Sequence, residues 1–160
     1  MAKAYLGLGT NLGDKKNNLE TSISKIENRI GQVTGLSDFY VSAPWGFESS
    51  NEFVNAALCV ETKLTPKELL KATQEIELEI GRTQKSINHS YQDRLIDIDI
   101  LLYDNLVYKD DKLEIPHKYI CERDFVLIPL LQINKELTNP KSGEKLIGYI
   151  KDKQALDKLK

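Results

Sequence analysis

Asp97 and Asp99 stand in the apolar run RLIDIDILLY, residues 94–103. The run reads as a strand, and alternate residues of a strand share a face. The spacing predicts Ile96, Ile98, Ile100 and Leu102 on one face, turned to a core. Asp97 and Asp99 then share the other face with Leu95, Leu101 and Tyr103, their Cα atoms roughly 6.5–7 Å apart. Aspartate is depleted in strands, and two carboxylates on one partly apolar face repel unless something positive lies between them. Mg²⁺ suits such a pair, because a hard cation takes carboxylate oxygens and keeps other positions for water and phosphate. A solvent-facing sheet with two inert acids has the same spacing, so the pair alone leaves both readings open.

The neighbouring charges favour the metal–phosphate reading. Arg82, Lys85 and Arg94 bracket the segment before this strand, His89 lies inside it, and His117 follows further on. Transfer between phosphate oxygens needs cations where charge moves. Lys85 and His89 read as solvated surface bases, whereas Arg82 and Arg94, close to the carboxylates in sequence, read as functional. Gln74 and Glu77 are three apart on a predicted helix and share a face; two exposed polar residues or a contact to a polar ligand would both fit. Asn55 is the polar exception among Phe53, Ala57 and Cys59. Half-buried, its amide needs partners, which a heterocycle edge or a neighbouring backbone would supply.

The elements that must position these residues follow from periodicity. Residues 3–8 read as a strand, and Gly7, Gly9 and Gly13 as a loop after it. Leu19, Ile23, Ile26 and Ile30 make a helical stripe. A second strand is expected over 33–42, a loop over 42–47, and a strand with two apolar faces over 53–62. Thr65-Pro66-Lys67-Glu68 reads as a capping box opening a helix that Gly81 ends. After the strand at 94–103, Asp104-Asn105 suggests a hairpin into 106–108, and a short strand precedes Pro116. A helix interrupted or bent at Pro129 follows over 122–133, and the remainder is amphipathic. The order predicts an α+β fold: a ferredoxin-like core whose mostly antiparallel sheet is packed by helices in αβα layers.

The chain has 160 residues, 41% hydrophobic and 29% charged, with net charge −2. This suits one domain over 1–160 and disfavours a general nucleic-acid binder, which needs a cationic field. The first residues lack the pattern of a signal peptide, and no apolar run reaches membrane-spanning length. Cys59 and Cys121 read as buried, reduced thiols of a cytoplasmic protein. Gly7-Leu8-Gly9-Thr10-Asn11-Leu12-Gly13 after a strand also raises a dinucleotide-binding oxidoreductase, but that pattern is weak alone, and Tyr40-Val41 brings no ribose-binding acid. An RNA-binding module would need strand aromatics that are not evident.

Several segments, taken in order, carry a resemblance. They are Gly9-Thr10-Asn11-Leu12-Gly13, Phe53-Val54-Asn55-Ala56-Ala57, Gln74 and Glu77 with Gly81-Arg82, the run from Arg94 through Asp97 and Asp99, Ile115-Pro116-His117, and Arg123 with Phe125 to Leu130. Over nearly the whole chain, from Tyr5 to about Ile133, they resemble the 6-hydroxymethyl-7,8-dihydropterin pyrophosphokinases of folate biosynthesis. The resemblance implies transfer of pyrophosphate from ATP to the pterin hydroxymethyl group, with AMP as the other product. It implies two Mg²⁺ ions on Asp97 and Asp99, and ATP contacts from Gln74, Glu77, Arg82, Arg94 and His117, with Arg82 and Arg94 assisting transfer. It puts the pterin between Phe53 and Phe125, its edge on Asn55 and on the backbone around Ser42, Pro44 and Trp45, with Asp97 and Arg123 nearby. No nucleic acid, membrane or obligate protein partner is implied. Three departures from the family pattern stand out: Tyr91-Gln92-Asp93 replaces Trp-Gly-Pro before Arg94, Gln84 replaces an arginine, and Lys118 replaces an aromatic. Closure of loops 43–50 and 83–93 over the substrates is expected.

Overall fold

The computed structural model describes residues 1–42, 52–83, 95–154 and 156–159, and of 82 and 83 the backbone only. In chain order the elements are β1 (Ala2–Thr10), α1 (Lys15–Arg29), β2 (Gly31–Leu36), β3 (Tyr40–Ser42), β4 (Phe53–Thr62), α2 (Pro66–Thr83), β5 (Asp97–Tyr103), β6 (Tyr108–Lys109), β7 (Glu114–Ile115), α3 (Asp124–Ile133) and β8 (Asp157–Lys158). A short 3-10 helix, Leu146–Tyr149, lies between α3 and β8. The main sheet runs β5-β1-β4-β3-β8, with β2 also on β4, and each of its pairings is antiparallel. Taking β2 and β3 as one interrupted strand, the chain traces β-α-β-β-α-β with β1 and β4 central, which is the ferredoxin-like plan.

Apolar alternation divides the core between the two sheet faces. Leu19 and Ile26 of α1 and Leu69, Ile76 and Ile80 of α2 pack with Leu6, Leu8, Leu58, Ile98 and Ile100 on one face. Leu127, Leu130 and Leu131 of α3 and Leu146 pack with Tyr5, Ala57, Cys59, Leu101 and Leu102 on the other. Each fully buried leucine or isoleucine contributes about 1.5–3 kcal/mol. The capping box forms as expected: the Thr65 amide donates to Glu68 Oε1 at 2.9 Å and the Glu68 amide to Thr65 Oγ1 at 3.2 Å. No helix among the described residues is long and apolar enough to cross a membrane.

Several boundaries differ from the sequence expectation, each for a local reason. Gly7 and Gly9 are strand residues, not loop, because β4 and β5 hold β1 from both sides. Gly13, at φ 69°, makes the turn before α1. The single strand expected over 33–42 is split: register shifts while the Ser37 hydroxyl accepts the Ala57 amide at 2.9 Å. Helix α2 passes through Gly81 to Thr83, and α3 is continuous through Pro129. On β5, a bulge opposite Tyr5 and Leu6 breaks the alternation. Leu102 therefore joins Leu101 in the α3-side cluster, while Tyr103 packs on the opposite side. The hairpin at Asp104-Asn105 does not form. Asp104, at φ 49°, turns back onto β1, donating its amide to Lys3 O and accepting the Lys3 amide, each at 2.8 Å. β6 pairs with β7 instead. Cys59 is buried as expected but Cys121 is only half-buried, and both are free thiols. The C-terminal segment supplies β8, which pairs with β3.

Candidate active site

The site begins with two missing side chains. Residues directly opposite in an antiparallel pair share a face. Gly9 faces Asn55 on one side and Asp97 on the other; Gly7 faces Ala57 and Asp99. A row Asp97–Gly9–Asn55 thus crosses three strands on the α3 side, with nothing rising from its middle. Room is tight: a Cβ on Gly9 would stand 2.9 Å from Asn55 Oδ1. Glycine in a strand often marks such a close approach.

On the β4 side, Asn55 is 5% exposed and donates Nδ2 to Ser42 Oγ at 2.9 Å. Phe53 is two residues along β4, on the same face.

On the β5 side three carboxyl groups crowd together. Glu77, on the buried flank of α2, accepts the Ile98 amide through Oε2 at 2.7 Å. It ties the helix to β5, an edge strand among the described residues. Its carboxyl is pushed up to about 7, first by burial and then by Asp97, which also hydrogen-bonds it, and Asp99, against the lowering effect of the Ile98 amide.

Among the described residues, basic side chains reach the carboxylates from the segment between β7 and α3. The His117 amide donates to Leu101 O at 3.0 Å, which pins this segment to β5. His117 Nδ1 accepts the Tyr119 amide at 3.2 Å, so the neutral ring carries its proton on Nε2, 3.9 Å from Asp99 Oδ1. Burial, then the Arg123 charge, lowers the imidazole below its usual range, and Asp97 opposes them. Arg123 is the N-cap residue of α3. Its guanidinium carbon lies 4.3 Å from the centre of the Tyr119 ring and 5.6 Å from that of Phe125. Burial lowers its pKa, while Asp99, Tyr119 and Asp97 act in the opposite direction. Acids, bases and aromatics therefore meet at one end of the α3-side face.

The 7,8-dihydro-6-hydroxymethylpterin-pyrophosphokinase family model matches residues 5–135. A 2-amino-4-hydroxy-6-hydroxymethyldihydropteridine pyrophosphokinase from Porphyromonas gingivalis is 46% identical over 136 residues, 83% of this chain and 91% of the relative. One from Aquifex aeolicus is 39% identical over 140 residues, 88% and 85% of the two chains. The chain belongs to this family. The enzyme also superposes on a crystal structure of wild-type Plasmodium falciparum HPPK-DHPS with TM-score 0.75 at 16% identity. That likeness concerns the fold: it covers 93% of this chain and 44% of that one, so the enzyme spans less than half of the longer chain.

Of the residues singled out from sequence, the structure brings together Asp97, Asp99, Glu77, His117, Arg123 and Phe125 at one side of the glycine floor, and Ser42, Asn55 and Phe53 at the other. Gln74 is exposed and lines a groove of about 500 Å³ with Lys67, Leu70, Lys71 and residues 110–113. Pro44, Trp45, Gln84, Lys85, His89, Tyr91 and Arg94 lie outside the described residues, as do the Arg82 side chain, loop 43–50 and all of 83–93 beyond the Thr83 backbone. Sequence reasoning missed Tyr119, whose amide holds His117 and whose ring underlies Arg123. The only signal was an aromatic two residues after the histidine.

Proposed function

We propose that the enzyme moves the β,γ-pyrophosphoryl group of Mg-ATP onto the hydroxymethyl oxygen of 6-hydroxymethyl-7,8-dihydropterin, releasing AMP. Family membership supplies pyrophosphoryl transfer in folate biosynthesis. The observation that carries the residue-level reading is the row Asp97–Gly9–Asn55. Two strand spacings separate the carboxylate from the carboxamide, about 10 Å, which suits a bicyclic heterocycle lying over bare backbone.

In this reading Asn55, oriented by Ser42, hydrogen-bonds the pterin edge, with the backbone near Pro44 and Trp45. Phe53 and Phe125 stack on its faces. Gln74, Glu77, Arg82, Arg94 and His117 bind ATP. Arg82 and Arg94, with Arg123 near the substrates, would stabilise the charge that shifts from the β-phosphorus to the departing AMP oxygen. The pterin hydroxyl attacks that phosphorus in line, and fixing both substrates on one face makes the encounter effectively unimolecular.

The carboxylates fit Mg²⁺. Among the described residues no cluster of three or more His, Cys, Asp or Glu could hold a metal ion by itself. Asp97 and Asp99 offer hard oxygens, and Glu77, raised first by burial and then by these two acids, marks a local excess of negative charge. Two carboxylates plus phosphate oxygens and water is an ordinary Mg²⁺ environment. Asp97 and Asp99 would hold two ions, which neutralise phosphate charge. We further read residues 1–160 as one catalytic domain of a cytoplasmic enzyme, consistent with the free thiols Cys59 and Cys121.

The test is product identity. Protein, Mg-ATP and the reduced pterin alcohol should yield AMP and a pterin diphosphate; ADP as the nucleotide product would refute the reading.

A further inference from the structure

We propose that Tyr119 is a positioning residue for the transfer reaction: its ring is the platform that holds the Arg123 guanidinium toward Asp97 and Asp99. The proposal rests on the reaction assigned above and adds to it a residue that the sequence did not single out.

Arg123 stands where α3 begins, in extended conformation and with no side-chain capping bond of its own. An arginine side chain has several rotatable bonds and must lose that freedom to act at one place. The Tyr119 ring lies 4.3 Å from the guanidinium carbon, well inside the range of a cation–π contact, and nearer than the Phe125 ring at 5.6 Å. If Phe125 turns to stack on a substrate, Tyr119 is the aromatic surface that still holds the arginine. Tyr119 is itself fixed from two directions. Its amide donates to His117 Nδ1 at 3.2 Å, and its carbonyl accepts the Glu122 amide at 3.0 Å. The neighbouring Ile120 is 2% exposed and anchors the turn in the α3-side core. The platform is therefore tied to the same short segment that pins His117 beside Asp99. Lys118 also reaches the ring, its Nζ 5.0 Å from the centre, so the ring serves two cations at the edge of the acidic cluster.

The experiment is a double-mutant cycle read by AMP formation, with folding monitored by thermal melting. Tyr119→Phe keeps the ring and should stay within about twofold of wild type. Tyr119→Leu removes it and should lower kcat/KM about 2- to 30-fold, the range of one cation–π contact. In an Arg123→Ala background the same Tyr119→Leu change should have no further effect, because its action passes through Arg123. An independent readout is the ring-current shift of the Arg123 side-chain protons in NMR spectra, kept by Tyr119→Phe and reduced in Tyr119→Leu to what the Phe125 ring leaves. Full activity in Tyr119→Leu, an undiminished loss in the Arg123→Ala background, or an unchanged Arg123 shift would each overturn the proposal. An inactive wild type would instead refute the reaction assignment, and the NMR readout would still decide the platform.

Discussion

Replacing Glu77 by glutamine tests whether the three crowded carboxyl groups are as tightly placed as the structure has them. The carboxamide oxygen of the new side chain can still accept the Ile98 amide, and its nitrogen can donate to Asp97 as the protonated carboxyl does, so the substitution mimics the neutral state. In the folded metal-free protein Glu77 titrates at about 7, against an ordinary value of 4.5. Its folded pKa is raised, so its stabilising contribution is fully present below about pH 4.5 and is lost as pH rises through 7. At 1.36 kcal/mol per pH unit the loss is on the order of 3 kcal/mol. The difference in unfolding free energy between Glu77→Gln and wild type, from urea titrations in EDTA, should therefore climb by that order in favour of the variant between pH 4.5 and 8. Taking the difference cancels groups common to both proteins. Among these is Glu79, held down to about 2 by Arg29 and Lys25, which moves stability the opposite way at low pH. A pH-independent difference would show that Glu77 is neither buried nor crowded as described.

Four further outcomes follow from the structure. Gly9→Ala puts a methyl 2.9 Å from Asn55 Oδ1, costs about 1–3 kcal/mol by overpacking, and should raise the pterin KM more than the ATP KM. Gly81→Ala, which meets nothing within 4 Å in a helix, should instead stabilise by roughly 0.5–1 kcal/mol; both changes are read by steady-state kinetics and melting. Asp97→Asn and Asp99→Asn should each depress turnover by orders of magnitude with circular dichroism unchanged, and wild-type rates in both would remove the metal assignment. Glu68→Ala opens the capping box at the far end of α2 and should lower the urea midpoint while leaving kcat unaltered.

The parts of the fold legible in the sequence were those governed by one local period. The α1 stripe of Leu19, Ile23, Ile26 and Ile30, the Thr65–Glu68 box and the two-faced apolar β4 each depend on spacing within a dozen residues, and each is found. What escaped depends on a partner strand. The bulge on β5 is set by its register against β1, so Leu102 and Tyr103 exchange faces although nothing in their own neighbourhood says so. Ser37 splits β2 from β3 by capturing the Ala57 amide, twenty residues away. Asp104 looked like a hairpin residue because its local preference is for a turn; its partner is Lys3, a hundred residues earlier.

The same division explains the site. Asp97 and Asp99 were visible because carboxylates in an apolar strand are out of place. Gly7 and Gly9 were visible too, but as breakers, which is what glycine usually signals. Only the register, with Asn55 and Asp97 on either side of Gly9, turns them into a floor. A sequence displays the side chains a site uses, whereas this floor is bare because two are absent. The carboxylate pair and the lone Asn55 were each ambiguous alone, since either could have been satisfied by solvent or backbone. Gly9 places both on one face with no side chain between them, so Gly9→Ala probes the reading of both halves at once.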